Sequence, residues 1–166
     1  MNDISIKRAL LTCADKSSLE SLAKTLVSFG CELISTGGTK HFLQEKGFVV
    51  TDISKLTRNP EAFQGRVKTL SFHSSAAVLF DRQRDAFEAQ RLEVQPIDLV
   101  VCNFYPFSET VSKKDCDLMV ALENIDIGGP TMIRSAAKNL GWVTVAVDPN
   151  DYSKIIGEIN GNGSVS

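Results

Sequence analysis

The sequence predicts an α/β fold of three layers, with helices on both faces of a central parallel sheet. Short apolar runs alternate with amphipathic segments at helical spacing, and glycine or proline closes most of them. In addition, several polar, glycine-bearing stretches directly follow the apolar runs, where open parallel sheets bind ligands.

Residues 9–13 make a short apolar run followed by turn residues, the pattern of a buried parallel strand. Over residues 17–29, Leu19, Leu22, Ala23, Leu26 and Val27 recur at helical spacing, and Gly30 supplies the stop. Residues 32–35 form the second strand, Gly37 and Gly38 the turn after it, and residues 39–46 a helix closed by Gly47. A third strand is expected over residues 49–53. Residues 56–65 are polar and contain Pro60, which implies a loop or a short irregular helix. Strand character resumes over residues 76–80, and residues 81–91 form a helix with Asp81 as its N-cap. Residues 97–102 are the clearest buried strand, ending at Asn103. Helices follow over residues 117–123 and 130–139, the latter with Pro130 at its first position, where a missing N–H does no harm. Residues 143–147 make the last strand and residues 151–159 the terminal helix. The glycine-rich tail of residues 161–164 is expected to be frayed or cut.

With 166 residues, 43% of them hydrophobic, the chain buries a full core, and a single domain over residues 1–166 is the expectation. A net charge of −2, from 18 basic and 20 acidic side chains without a basic stripe, argues against nucleic acid as a partner. No apolar run is long enough to span a bilayer, and Asp15 and Lys16 interrupt the only candidate signal peptide. Cys13, Cys31, Cys102 and Cys116 show no paired or metal-binding spacing, so reduced thiols in a cytoplasmic protein are expected. His41 and His73 have no partners that suggest a zinc site. Neither a metal nor a cofactor is expected.

Four stretches carry candidate chemistry. Gly37 and Gly38 let backbone N–H groups approach an anion, and the following helix adds partial positive charge. Ser35, Thr36 and Thr39 supply hydroxyls there, while Thr12, Lys16 and Ser17 lie at the end of the neighbouring strand. Gly-Gly on its own is equally a plain turn. Arg66 and Lys68 stand two apart and project to one side of an extended segment, beside Thr69. Asn103 and Tyr105 end the clearest strand; Tyr105 is able to move a proton, although Phe104 and Phe107 also read as a lid on the core. Asp126, Gly128, Gly129 and Lys138 form the last group, with glycine N–H groups exposed before a helix and a carboxylate available to pair with a lysine.

The ordered stretches STGGT, GRVKTL, N-x-YPF, ENIDIGGPTMIRSAAKN and VDPNDY resemble the IMP cyclohydrolase domain of bifunctional purine-biosynthesis proteins over nearly the whole chain. The resemblance implies a methylglyoxal-synthase-like fold and closure of a formamidoimidazole-carboxamide ribotide to IMP, with loss of water and no cofactor. It implies that Ser35, Thr36, Gly37, Gly38 and Lys16 hold the phosphate, with Thr12 and Ser17 also expected to bind substrate. Arg66, Thr69, Asn103, Ile127, Gly128 and Gly129 would surround the base. Lys68 and Tyr105 would manage protons at the formyl oxygen, and Asp126 with Lys138 would orient the carboxamide nitrogen. It further implies a homodimer and a following transformylase domain, this chain being the first part of a longer protein.

One segment departs from the family pattern. Where the family usually has His-Pro, a basic residue, His and a Gly pair, residues 71–77 read SFHSSAA. The departure opens an alternative, a non-catalytic nucleotide-binding regulatory domain of the same fold. A third reading, methylglyoxal synthase, shares the fold and the phosphate end.

Overall fold

A computed structural model describes residues 3–104 and 107–166. Strands β1 (Arg8–Cys13), β2 (Glu32–Ser35), β3 (Val50–Asp52), β4 (Leu99–Asn103) and β5 (Thr144–Ala146) form one all-parallel sheet in the order β3-β2-β1-β4-β5. The helices in chain order are α1 (Leu19–Ser28), α2 (Gly37–Glu45), α3 (Ile53–Thr57), α4 (Phe72–Leu79) and α5 (Ala86–Arg91). They continue with α6 (Phe107–Val111), α7 (Leu118–Glu123), α8 (Gly128–Lys138) and α9 (Tyr152–Asn162).

Strand alternation builds two cores. Ala9, Leu11 and Cys13 of β1, with Leu99 and Val101 of β4, pack against α1, α2 and α9 through Leu22, Leu26, Leu43, Tyr152 and Ile155. Leu10, Val100 and Cys102 face the other side, where Ile53, Leu56, Ala77, Val78, Met132 and Ala136 of α3, α4 and α8 cover them. The sheet is therefore apolar on both faces, as parallel sheets require. The strand order reverses between β1 and β4, so the segments that leave their carboxyl ends run to opposite sides and open a crevice.

Several elements differ from the sequence expectation. Residues 76–80 are not a strand: they belong mostly to α4, which begins four residues earlier. Ser71 nucleates that helix, its Oγ accepting from Ser74 N at 3.0 Å while its own N–H donates to Ser74 Oγ at 3.1 Å. Asp81 does not start the next helix; its carboxylate accepts from Gln83 N and Arg84 N, both at 2.9 Å, in a turn before α5 begins at Ala86. Gly37 and Gly38 are the first residues of α2 rather than a separate turn. Pro130 is third in α8, still within the first turn, where N–H groups have no intrahelical acceptor. The tail is tied down: Val165 is buried and exchanges two backbone hydrogen bonds, of 2.8 and 2.9 Å, with Ile4.

Asp98, 2% exposed, joins the start of the sheet. Its Oδ2 accepts from Lys7 N and Arg8 N, both at 2.7 Å, and its Oδ1 pairs with Arg82 at 2.7 Å. Replacing it strands a half-buried guanidinium and two backbone donors. Asp98→Ala is expected to lower unfolding free energy by about 3–5 kcal/mol in a urea titration, whereas a change below about 1 kcal/mol would deny it this role.

Candidate active site

The carboxyl ends of β1, β2 and β4 open into a cleft of about 720 Å³. Its walls are the end of β1 and the loop after it, the first turn of α2, the segment from Gln64 to Leu70, Asn103, and the stretch from Leu122 to Gly129.

One end is shaped for an anion. Thr36 is extended and Gly37 has φ +52°, so the backbone turns abruptly into α2. Thr39 fixes this turn to β1, its Oγ1 accepting from Cys13 N and donating to Cys13 O, both at 2.9 Å. A Cβ built on Gly37 would stand 3.4 Å from Lys68 Nζ, an ordinary contact, so that ammonium lies beside the helix N-terminus. Lys68, its side chain 25% exposed, pairs with Glu61 at 3.1 Å. Lys16 enters from the other side, its Nζ donating to Ala14 O at 3.2 Å.

Asn103 positions this end rather than reaching across the cleft. Its Oδ1 accepts from Asp15 N and its Nδ2 donates to Asp15 O, both at 2.8 Å, clipping the loop that bears Lys16. Fully buried Tyr152 stands behind, 3.5 Å from Asn103 Nδ2 and 3.7 Å from Cys13 Sγ. Burial pushes the Cys13 thiol and the Tyr152 hydroxyl up, so both are protonated packing groups rather than nucleophiles.

The opposite end is held by steric constraint. A Cβ on Gly128 would lie 2.3 Å from Thr69 Oγ1. On Gly129 it would meet Asp126 Oδ2 at 2.5 Å and both Cys102 Sγ and Phe104 Cε1 at 2.9 Å. Asp126 Oδ1 accepts from Gly129 N at 3.0 Å, so that N–H is engaged rather than free for an oxyanion. Burial, then the Asp126 charge, pushes the Cys102 thiol up to about 12. Thr69 is held in turn by Ser74, whose buried Oγ donates to Thr69 O at 2.5 Å. Arg66 forms an ion pair with Glu123, the last residue of α7; the guanidinium holds that carboxyl below its usual range.

Thr12, Lys16, Thr36, Gly37, Gly38, Arg66, Lys68, Thr69, Asn103, Asp126, Ile127, Gly128 and Gly129 thus share one cleft. Three expected residues do not join them. Ser35 is fully buried within the sheet, its Oγ donating to Leu11 O at 2.7 Å. Ser17 is exposed, outside the cleft walls, its N–H held by Asp15 Oδ1 at 2.8 Å. Lys138 is exposed at the far end of α8, ten residues beyond Gly128 and outside the walls. At the helical rise of 1.5 Å per residue it stands about 15 Å along the axis, beyond a lysine's reach. Tyr105 lies outside the described residues.

Residues 18–131 match the MGS-like domain. This chain belongs to the MGS-like domain family. Over 165 residues, 98% of the chain, this MGS-like domain is 50% identical to the bifunctional purine biosynthesis protein PurH of Bacillus subtilis. It is 48% identical over 162 residues, 96% of the chain, to the protein of the same name from Caldicellulosiruptor bescii. It spans about a third, 32%, of the length of each relative. The crystal structure of ForH superposes with a TM-score of 0.86 at 32% identity, covering 96% of this chain and 81% of that one. The all-parallel three-layer architecture is thus that of MGS-like proteins.

Sequence reasoning passed over Glu61 and Glu123, the carboxylates that pair with Lys68 and Arg66. Both lie within or beside stretches singled out for other residues, and neither spacing nor composition links them to their partners. Among the described residues, no group of three or more His, Cys, Asp and Glu stands close enough to hold a metal ion.

Gly129 and Gly38 differ in the space around them. Gly129→Ala forces Asp126 and Phe104 to move and is expected to lower the unfolding free energy by about 1–3 kcal/mol. Gly38→Ala, with nothing within 4 Å of the added carbon, is expected to stay within about 0.5 kcal/mol of the parent. Urea titration of both variants checks the contrast; equal stability would contradict the packing described.

Proposed function

We propose that this MGS-like domain is an IMP cyclohydrolase, closing 5-formamidoimidazole-4-carboxamide ribotide to IMP. The observation that carries the reading is a single cleft with Lys16 and the α2 N-terminus at one end, Asp126 at the other, and Lys68 on the segment that runs from beside Gly37 to Thr69 against Gly128. That arrangement matches a ligand with a phosphate on one side and an uncharged reacting heterocycle on the other. Identity of 48–50% to PurH proteins over nearly the whole chain supports the same reading.

The reaction forms a bond between the carboxamide nitrogen and the formyl carbon, then expels the formyl oxygen as water. Both reacting groups belong to one molecule, so much of the ~7–11 kcal/mol otherwise needed to unite reactants is already in the substrate. What is left is orientation and proton movement. In this reading Asp126, held by Gly129 N–H, accepts hydrogen from the attacking carboxamide nitrogen. Lys68 donates a proton to the formyl oxygen as it becomes hydroxyl; a second proton then carries that hydroxyl off as water while the formamido nitrogen gives up its N–H to form the ring C=N bond. Such positioned acids and bases contribute about 10²–10⁴-fold. Tyr105, adjoining the cleft in sequence, is the remaining candidate for the second proton.

Residues 71–77, where the family pattern is broken, form the capping box and the Ser74 support of Thr69. The altered segment therefore still supports a residue of the cleft wall. The same proposal carries with it a transformylase domain in the full-length protein and a homodimeric assembly, the latter measurable by sedimentation.

Ring closure is followed as IMP appearing in the ultraviolet. Lys68→Ala and Asp126→Asn are each expected to slow it by about 100-fold or more with unchanged circular dichroism. Full rates in both variants would remove these residues from the mechanism.

A further inference from the structure

Glu61 and Lys68 face each other because of how the chain turns between them. Ala62 N donates to Val67 O at 2.9 Å and Val67 N to Ala62 O at 3.2 Å, a short antiparallel bridge whose two residues exchange both bonds. Residues 61 and 68 are therefore the next cross-strand pair, the kind whose side chains stand closest, on the face opposite to Ala62 and Val67. The loop between them closes in four residues, with Phe63, Gln64 and Gly65 at φ of +54°, +57° and +91°, a region that side chains seldom enter. Gly65 has a second use. A Cβ there would stand 3.1 Å from Glu61 Oε1 and 3.7 Å from Lys68 Nζ, so carboxylate and ammonium both lie against its bare face.

The ammonium held in this way has unfavourable neighbours. It lies beside the first turn of α2, whose free N–H groups carry partial positive charge, and Lys16 enters the same cleft. Nearby carboxylates are engaged elsewhere: Glu123 pairs with Arg66, and Asp126 accepts from Gly129 N. Glu61 meets Lys68 at 3.1 Å, and as a source of stability a half-exposed pair of this kind counts for little. What it fixes is the place of Nζ. A lysine has a flexible four-carbon stem, and without a partner the positive charge around it favours swinging out into water.

We propose that Glu61 is a positioning residue for ring closure, holding the Lys68 ammonium in the cleft until the formyl oxygen takes it over. Glu61 touches no reacting atom and acts through Lys68. The inference rests on the reading of Lys68 as proton donor and adds to it the group that presents that donor. The phosphate is gripped by Lys16 and the end of α2, so losing Glu61 slows the chemical step and leaves substrate affinity alone.

The test is a double-mutant cycle of Glu61→Gln with Lys68→Ala, followed as IMP formation. Glu61→Gln keeps the shape of the side chain and removes its charge. It is expected to lower kcat about tenfold, with KM within about twofold of the parent and unchanged circular dichroism. In the Lys68→Ala background, adding Glu61→Gln is expected to change the rate by less than about twofold, because the group it acts through is gone. A parent-like kcat in Glu61→Gln, with Lys68→Ala slow, overturns this inference alone. A further tenfold loss in the Lys68→Ala background also overturns it, since Glu61 would then act on the loop and not on the ammonium. Full rate in Lys68→Ala, or no turnover by the parent, overturns the reading of Lys68 and this inference together.

Discussion

A side-chain carbon at Gly128 or Gly129 would have to displace neighbouring side chains, and the cleft is built around that close approach. Thr69, Asp126, Cys102 and Phe104 all crowd against these two residues at distances below ordinary contact for an added carbon. Four separate pieces of chain therefore meet at one point: the loop after Arg66, the end of β4, the turn before α8, and α8 itself. Bringing the first turn of α8 this close directs Asp126 into the cleft and fixes it there through Gly129 N–H. It also sets Thr69 against α8, with Ser74 bracing it from behind.

The charges follow a second rule. Each cation from the segment of residues 66–68 already has a carboxylate partner, Glu123 for Arg66 and Glu61 for Lys68. Arg66, Glu123 and Glu61 are all more than half exposed, and exposed pairs contribute only about 0–1 kcal/mol. An incoming phosphate or carbonyl takes over such a cation at little cost, since the displaced carboxylate returns to water. Paired cations thus stay aimed at the cleft before ligand arrives. Lys16 differs: its loop is set by the two hydrogen bonds between Asn103 and the Asp15 backbone, so its position is structural.

How much of this was legible in the sequence depends on the range of the interaction. The apolar runs of β1, β2 and β4 marked themselves, because a strand buried on both faces needs unbroken apolar residues. The glycine stretches marked the cleft for a related reason: turns and close approaches demand glycine locally. Residues 76–80 misled because Ala-Ala-Val-Leu-Phe is apolar in either period, and the deciding signal was a serine capping box upstream. Ser35 misled differently, and Asn103, which does line the cleft, has a second task there that the sequence did not show. Their polar groups are engaged by backbone of neighbouring segments, 24 and 88 residues away, which no local pattern records. Lys138 shows the limit of motif reasoning: it shares a stretch with Gly128, but the helix between them carries it away from the cleft.

The most direct test is an amide NMR titration of this chain with IMP. A ribotide site at the β1–β4 switch point predicts saturable shifts at Lys16, Gly37, Gly38, Thr69, Gly128 and Gly129. Resonances of Lys138 and Val165 are predicted to stay unmoved. Shifts centred on Lys138 or on the Ile4–Val165 end, with the glycine amides unaffected, would contradict the account.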